Sequence, residues 1–194
     1  MFDLKLDLSE FDRMARQVNG AIDQVPFALT TALNEAAKVT RQHEAEVVWP
    51  GHVTVRNRNF MKAALSTEFA SKRSLRVSIY DRLGRAHLKL HDKGGTKRAR
   101  GKLAIPTAEV KRNSRGVSAR QRPSALPNSF RQGDSIYQRY GSKKGKRIRR
   151  MYSLVSSAGI KADVPFSSEF ARVMAAQVRN RFAPAMLKAM RTRR

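Results

Sequence analysis

The sequence predicts an α+β fold, and three observations carry that reading. Apolar residues recur at helical spacing over the first fifty positions and again over the last thirty. Between them the pattern switches to period two, the spacing of half-buried strands. Turn residues and prolines break that middle region into short pieces, which suits a mostly antiparallel sheet. The 194 residues are read as one domain. It has a helical segment over 1–50, a sheet region over 51–164 with a basic loop at 110–134, and a C-terminal helix over 165–194.

The elements follow in order. Phe2 to Leu8 alternates apolar and polar residues and reads as a strand. Ser9 with Asp12 has helix-capping spacing, and Phe11, Met14, Val18, Ala21 and Ile22 then fall on one helical face. Val25-Pro26 marks a fresh start, because proline is tolerated in the first turn. Leu29, Ala32, Leu33, Ala36 and Val47 continue an alanine-rich stripe until Trp49-Pro50-Gly51. Two helices are therefore expected, at about 9–23 and 26–47, with the second ending before Trp49.

In the middle, residues 64–69 and 75–80 read as two strands about a polar turn. His87 to His91 alternates and reads as another strand. Residues 93–96 read as a loop, and Leu103 to Ile105, closed by Pro106, as a short edge strand. Residues 110–134 read as a linker or long loop, rich in Arg, Ser, Asn, Gly and Pro. Strands are expected at 135–140 and 148–155, and a short one at 160–164. In the last segment Ser167 is placed to cap a helix, with Glu169 in its first turn. Phe170, Met174, Val178 and Phe182 recur every four residues and are assigned to the core or to a subunit interface. Pro184 predicts a kink or break near Phe182.

Charge says most about function. Lys and Arg number 40 against 15 Asp and Glu, a net of +25. Residues 1–50 hold 5 basic and 8 acidic residues, net −3, so residues 51–194 hold 35 and 7, net +28. An imbalance of this size calls for a polyanion, and nucleic acid fits it better than an anionic membrane. The basic residues cluster in two stretches. One holds Lys97, Arg98, Arg100 and Lys102. The other holds Lys143, Lys144, Lys146, Arg147, Arg149 and Arg150. These are assigned to a surface facing DNA or a strongly acidic partner. Tyr137, Tyr140 and Tyr152 lie near the second stretch, but aromatic interleaving is sparse, so phosphate contact without base readout is expected.

Catalytic chemistry finds little footing. There is no cysteine, which excludes disulfides, thiolate nucleophiles and Cys-ligated zinc. His87 and His91 are four apart, but they lack the glutamate and further ligands of a metal site. The stretch from Gly95 to Gly101-Lys102 misses phosphate-loop spacing by one residue, and Leu103 stands where Ser or Thr is needed. Asp81, Asp92, Asp134 and Asp163 do not cluster as Mg²⁺ ligands would. No enzyme activity, metal or cofactor is expected. No apolar run is long enough to span a bilayer, and the first residues do not form a secretory signal.

Three segments carry a likeness. Val25 to Ala37 (VPFALTTALNEAA) is similar to the VP…A…A(L/I)N helix of one family. Leu103-Ala104-Ile105-Pro106 follows a Gly-Gly basic loop, and Val164-Pro165-Phe166 leads into a long helix with a basic end. In these features, and in length, basicity and lack of cysteine, the chain resembles the phage minor tail protein Z family, the tail-completion proteins of lambdoid siphophages. The resemblance implies a structural virion protein of the tail or neck, assembled in the host bacterial cytoplasm. It implies a homo-oligomeric ring, sixfold, at the head-proximal end of the tail. Its partners would be the tail terminator, tail tube and head–tail connector proteins, with double-stranded DNA in the lumen and no membrane. The family has no catalytic residues to carry over. The alternative is a sequence-independent nucleic-acid-binding protein of ribosomal or nucleoid type.

Overall fold

The computed structural model describes residues 8–17, 21–84, 86–113, 116–141, 145 and 147–192. The expected strand at 2–8 lies outside these except for Leu8, as do Val18, Lys143, Lys144, Lys146 and the last two arginines. The chain is mixed helix and sheet, as the change of period predicts. It forms two compact units, one from residues 1–92 with 162–194 and one from residues 93–161. The expectation of one domain with internal boundaries at 50 and 164 therefore meets a different division. The break after 92 carries no proline-rich linker to announce it.

The first unit is built on two long helices. Helix α1 (Leu8–Gln17) buries Phe11 and Ala15, four apart. A short 3₁₀ turn at Ile22–Gln24 leads into α2 (Val25–His43), with Pro26 in its first turn. Val25, Ala28, Leu29, Ala32, Leu33, Ala36, Ala37 and Thr40 are buried on one stripe of α2. Four of the eight are alanines, and such small side chains let a neighbouring helix approach closely. That neighbour is α6 (Phe166–Arg191), which buries Phe166, Phe170, Val173, Met174, Val178 and Phe182. The Phe182 ring meets Phe11 edge-on, 5.1 Å between centroids. The four residues assigned to a core or interface stripe thus lie in the core of the chain itself.

Two helix ends differ from expectation. α2 does not stop before Trp49. It passes through a π-helical turn (Glu44–Val48) into α3 (Trp49–His52), and Pro50, which has no N–H to donate, falls just past that turn. Trp49 is then held against the Phe166 ring, 6.1 Å away and nearly parallel. α6 in turn runs on through Pro184 without interruption. Pro184 and Asn180, whose carbonyl loses its helical partner, are both exposed, so water can serve that oxygen. Phe182, Ala185 and Met186 on the other side are buried and hold the helix in place.

The remainder of this unit is short pieces. α4 (Phe60–Ala64), which the sequence pattern does not announce, precedes β1 (Leu65–Glu68). β1 pairs antiparallel with β2 (Ser78–Asp81), Leu65 opposite Asp81. Residues 88–93 form a helix, α5 (Leu88–Lys93), and not the expected strand. Two alternating leucines are too short a pattern to separate the two. Asp81 decides it by accepting the backbone N–H groups of Ala86 and His87 at 2.6 and 3.2 Å, which turns the chain just before the helix. Asp92 at the end of α5 caps α6, accepting the Ser167 N–H at 2.8 Å and the Ser167 hydroxyl. Ser167 is therefore the capped residue and not the cap.

The second unit is a four-stranded antiparallel sheet in the order β3-β8-β7-β6. Its strands are β3 (Gly95–Pro106), β6 (Ser129–Gln132), β7 (Ser135–Tyr140) and β8 (Arg147–Ile160). β3 lies at an edge, as Pro106 suggests, but it begins at Gly95 and absorbs the expected loop. β8 runs five residues beyond its expected end and takes up the start of the strand expected at 160–164. Residues 110–134 form a long connection that carries short elements of its own. They contain a small hairpin, β4 (Arg112–Asn113) with β5 (Gly116–Val117), a 3₁₀ turn at Ala119–Gln121, and β6. Val110 and Leu126 anchor this stretch in a small core with Met151 and Tyr152. No described helix is long and apolar enough to cross a membrane.

Candidate nucleic-acid interface

The sheet unit concentrates the charge. Residues 93–161 hold 19 Lys and Arg against 2 Asp and Glu, a net of +17 in 69 residues. Both acids are engaged. Asp134 accepts from Lys102 Nζ at 2.7 Å, and that ammonium holds its carboxyl below the usual range. Glu109 lies 3.5 Å from Arg149. No acid among the described residues pairs with Arg98, Arg100, Arg147 or Arg150, all exposed.

Strand register decides where each predicted residue sits. Arg147, Arg149 and Arg150 lie at the start of β8, opposite Tyr140, Gln138 and Tyr137 of β7. Lys97 and Arg98 pair with Ala158 and Ser157 near its other end. Seven residues separate Ser157 from Arg150, about 23 Å at 3.3 Å per residue. Among the described residues, Lys97 and Arg98 on β3 and Arg147, Arg149 and Arg150 on β8 form two groups at opposite ends of that long strand. Arg100 and Lys102 sit in a bulge. From Arg98 to Leu103 β3 advances five residues while β8 advances two, and the surplus chain is pushed out of the ladder. Lys143, Lys144 and Lys146 lie outside the described residues.

The two faces of the sheet differ. One carries Ala104, Ile136, Tyr152 and Leu154 and closes over the small core, where the Tyr152 hydroxyl donates to the Gln121 carbonyl at 2.5 Å. A bulge opposite Ile136 and Tyr137 places Met151 in that core as well. On this face Arg149 is occupied internally. It donates to Gln138 Oε1 at 2.8 and 3.2 Å and lies over the Tyr140 ring at 4.9 Å. The opposite face carries Phe130, Tyr137, Arg139, Ile148 and Arg150. The Phe130 and Tyr137 rings stack across strands at 5.7 Å, with Arg139 over Phe130 at 4.7 Å. Of the three tyrosines noted beside the basic stretch, Tyr152 is therefore a core residue and Tyr140 a support for Arg149. Phe130 and Arg139 escaped sequence reading. The signal was the turn at Gly133-Asp134, since residues equidistant from a two-residue turn face each other across the hairpin.

The most perturbed titratable group belongs to the helical unit. Glu44, at the first position of the π-helical turn, is 1% exposed, and neither carboxyl oxygen has a hydrogen-bond partner. Burial, reinforced by Glu169 and Asp92 nearby, pushes its pKa to about 8, so the carboxyl stays neutral at lower pH. Sealed from solvent, it reaches no substrate. Among the described residues no group of three or more His, Asp or Glu could hold a metal ion. Comparison of the chain with family models, curated proteins and solved structures finds no match.

Proposed function

We propose that the protein is a structural phage virion component, a tail-completion or neck protein that forms a ring and contacts double-stranded DNA through its phosphates. One observation supports the DNA contact above all others: net +17 in a 69-residue sheet unit whose only two acids are already paired. Such a unit lowers its own electrostatic free energy by taking up phosphate and releasing condensed counterions. The placement in a tail rests on the likeness of the Val25–Ala37 helix and of the Leu103–Pro106 and Val164–Phe166 segments. Phosphate contact along a lumen needs no base readout, which agrees with cations spread along a strand.

The test replaces Arg98, Arg100, Arg147 and Arg150 with Ser. These exposed side chains contribute little to the core, so the variant is expected to fold. Duplex affinity is measured against salt, together with joining of heads to tails. The slope of log K against log salt should flatten by roughly 0.9 for each phosphate that the variant no longer neutralises, and tails should fail to complete. Parental behaviour in both assays would overturn the reading. A flattened slope with normal tail joining favours the ribosomal or nucleoid alternative, and strong preference for one DNA sequence would overturn contact through phosphates alone.

A further inference from the structure

We propose that the open face of the four-stranded sheet binds unpaired nucleotides, with Tyr137 stacking on a base, Phe130 and Arg139 backing that ring, and Arg98 and Arg150 holding the flanking phosphates. The proposal rests on the polyanion reading above and adds the form of nucleic acid this face takes.

Four observations lead there. The small core lies wholly on the other face of this sheet, so Phe130 and Tyr137 are not needed to close it. Both rings are only half-buried, and Ile148 and Ile105 on the same face are 59% and 43% exposed. The rings stand on adjacent strands at facing positions, which fixes their planes without help from a ligand. Finally, the register puts Arg98, Arg139 and Arg150 on this face, and none of its strand positions is an acid.

That combination matches a single strand better than a duplex. Duplex bases stack on one another and offer only their edges in the grooves, so a half-buried ring on a sheet has no flat base to meet. Splayed bases present their π faces to aromatic and guanidinium planes in any sequence, and arginines alongside track the backbone. An acidic protein partner would use the arginines but would leave the stacked rings without a planar group to receive.

The experiment uses the full chain, fluorescently labelled oligothymidylate, and a duplex of equal length, each titrated over a series of salt concentrations and compared at equal salt. A Phe130→Leu, Tyr137→Leu double variant keeps apolar bulk and strand pairing while removing the ring faces, and circular dichroism checks its fold. Oligothymidylate affinity should fall about tenfold or more, while duplex affinity stays within about twofold. Ultraviolet cross-linking to iodouracil-substituted oligonucleotides should place the adduct on Tyr137 of the parent. Unchanged oligothymidylate affinity, an equal loss for both nucleic acids, or adducts only elsewhere would overturn the stacking proposal. Duplex binding that weakens with salt in the same titrations would leave the phosphate reading standing, so the two fail separately. If the leucine variant misfolds, the cross-link position in the parent decides alone.

Discussion

The helical unit and the sheet unit solve opposite problems. Among the described residues, the first buries a continuous cluster of 27 apolar side chains, from Phe11 to Met186. The cluster of the second holds four. The first carries net +8 over 125 residues, and the second +17 over 69. Apolar burial is the main stabilising term in folding, while unpaired like charge works against compaction. The unit with the smaller core therefore carries the larger repulsion. Apolar burial is concentrated in one part of the chain and net positive charge in the other.

Four measurements can break or sharpen that contrast. The largest effect is expected from Phe182→Ala, which empties a fully buried site on α6 facing Phe11. It should cost about 3–5 kcal/mol in denaturant unfolding. The DNA salt slope of the protein that remains folded should be unchanged, and a changed slope would mean that the two roles are not separate.

Next comes pH. Glu44 holds its proton in the folded state up to about pH 8, whereas the unfolded chain releases it near 4.5. Between these values the folded state binds more protons, so stability falls as pH rises and is fullest below about 4.5. The decline should be on the order of a few kcal/mol. Glu44→Gln should flatten the fall in unfolding free energy between pH 5 and 8, and an unaltered slope would assign it to other groups.

A smaller effect is expected in the sheet unit. Tyr152→Phe removes the hydroxyl bonded to Gln121 and should cost about 1–2 kcal/mol, read as earlier loss of strand signal on heating. Least of all is expected from Asp134→Asn. Its ion pair with Lys102 is exposed, so stability should not change measurably, while duplex affinity rises slightly as Lys102 is freed. A clear loss of stability there would show that the bulge of β3 depends on that pair.

How much of this was legible in the sequence depended on pattern length. The stripes of α2 and α6 run for five or more turns, and Phe170, Met174, Val178 and Phe182 lie in the core as their spacing requires. The strand expected at 87–91 gives way to α5 because one turn of helix and a short strand cannot be separated by two leucines. The hairpin inside 110–134 was missed because its anchors, Val110 and Leu126, stand singly among polar residues. For the candidate interface, the sequence supplied the basic residues but not the register. Only the pairing of Phe130 with Tyr137, and the bulge after Arg98, tell which side chains share a face.

The packing of α2 against α6 also bears on how the chain is made. Their partner surfaces are separated by the 122 residues between His43 and Phe166. At roughly 5–20 residues per second, the apolar stripe of α2 leaves the ribosome roughly 6–24 seconds before the helix that covers it. The sheet pairs strands closer in sequence, so its contacts become available first. During that interval Leu29 and Leu33 are exposed to any apolar neighbour, including α2 of another nascent chain. Chaperone dependence in the cell should therefore track residues 25–43, not the highly charged sheet.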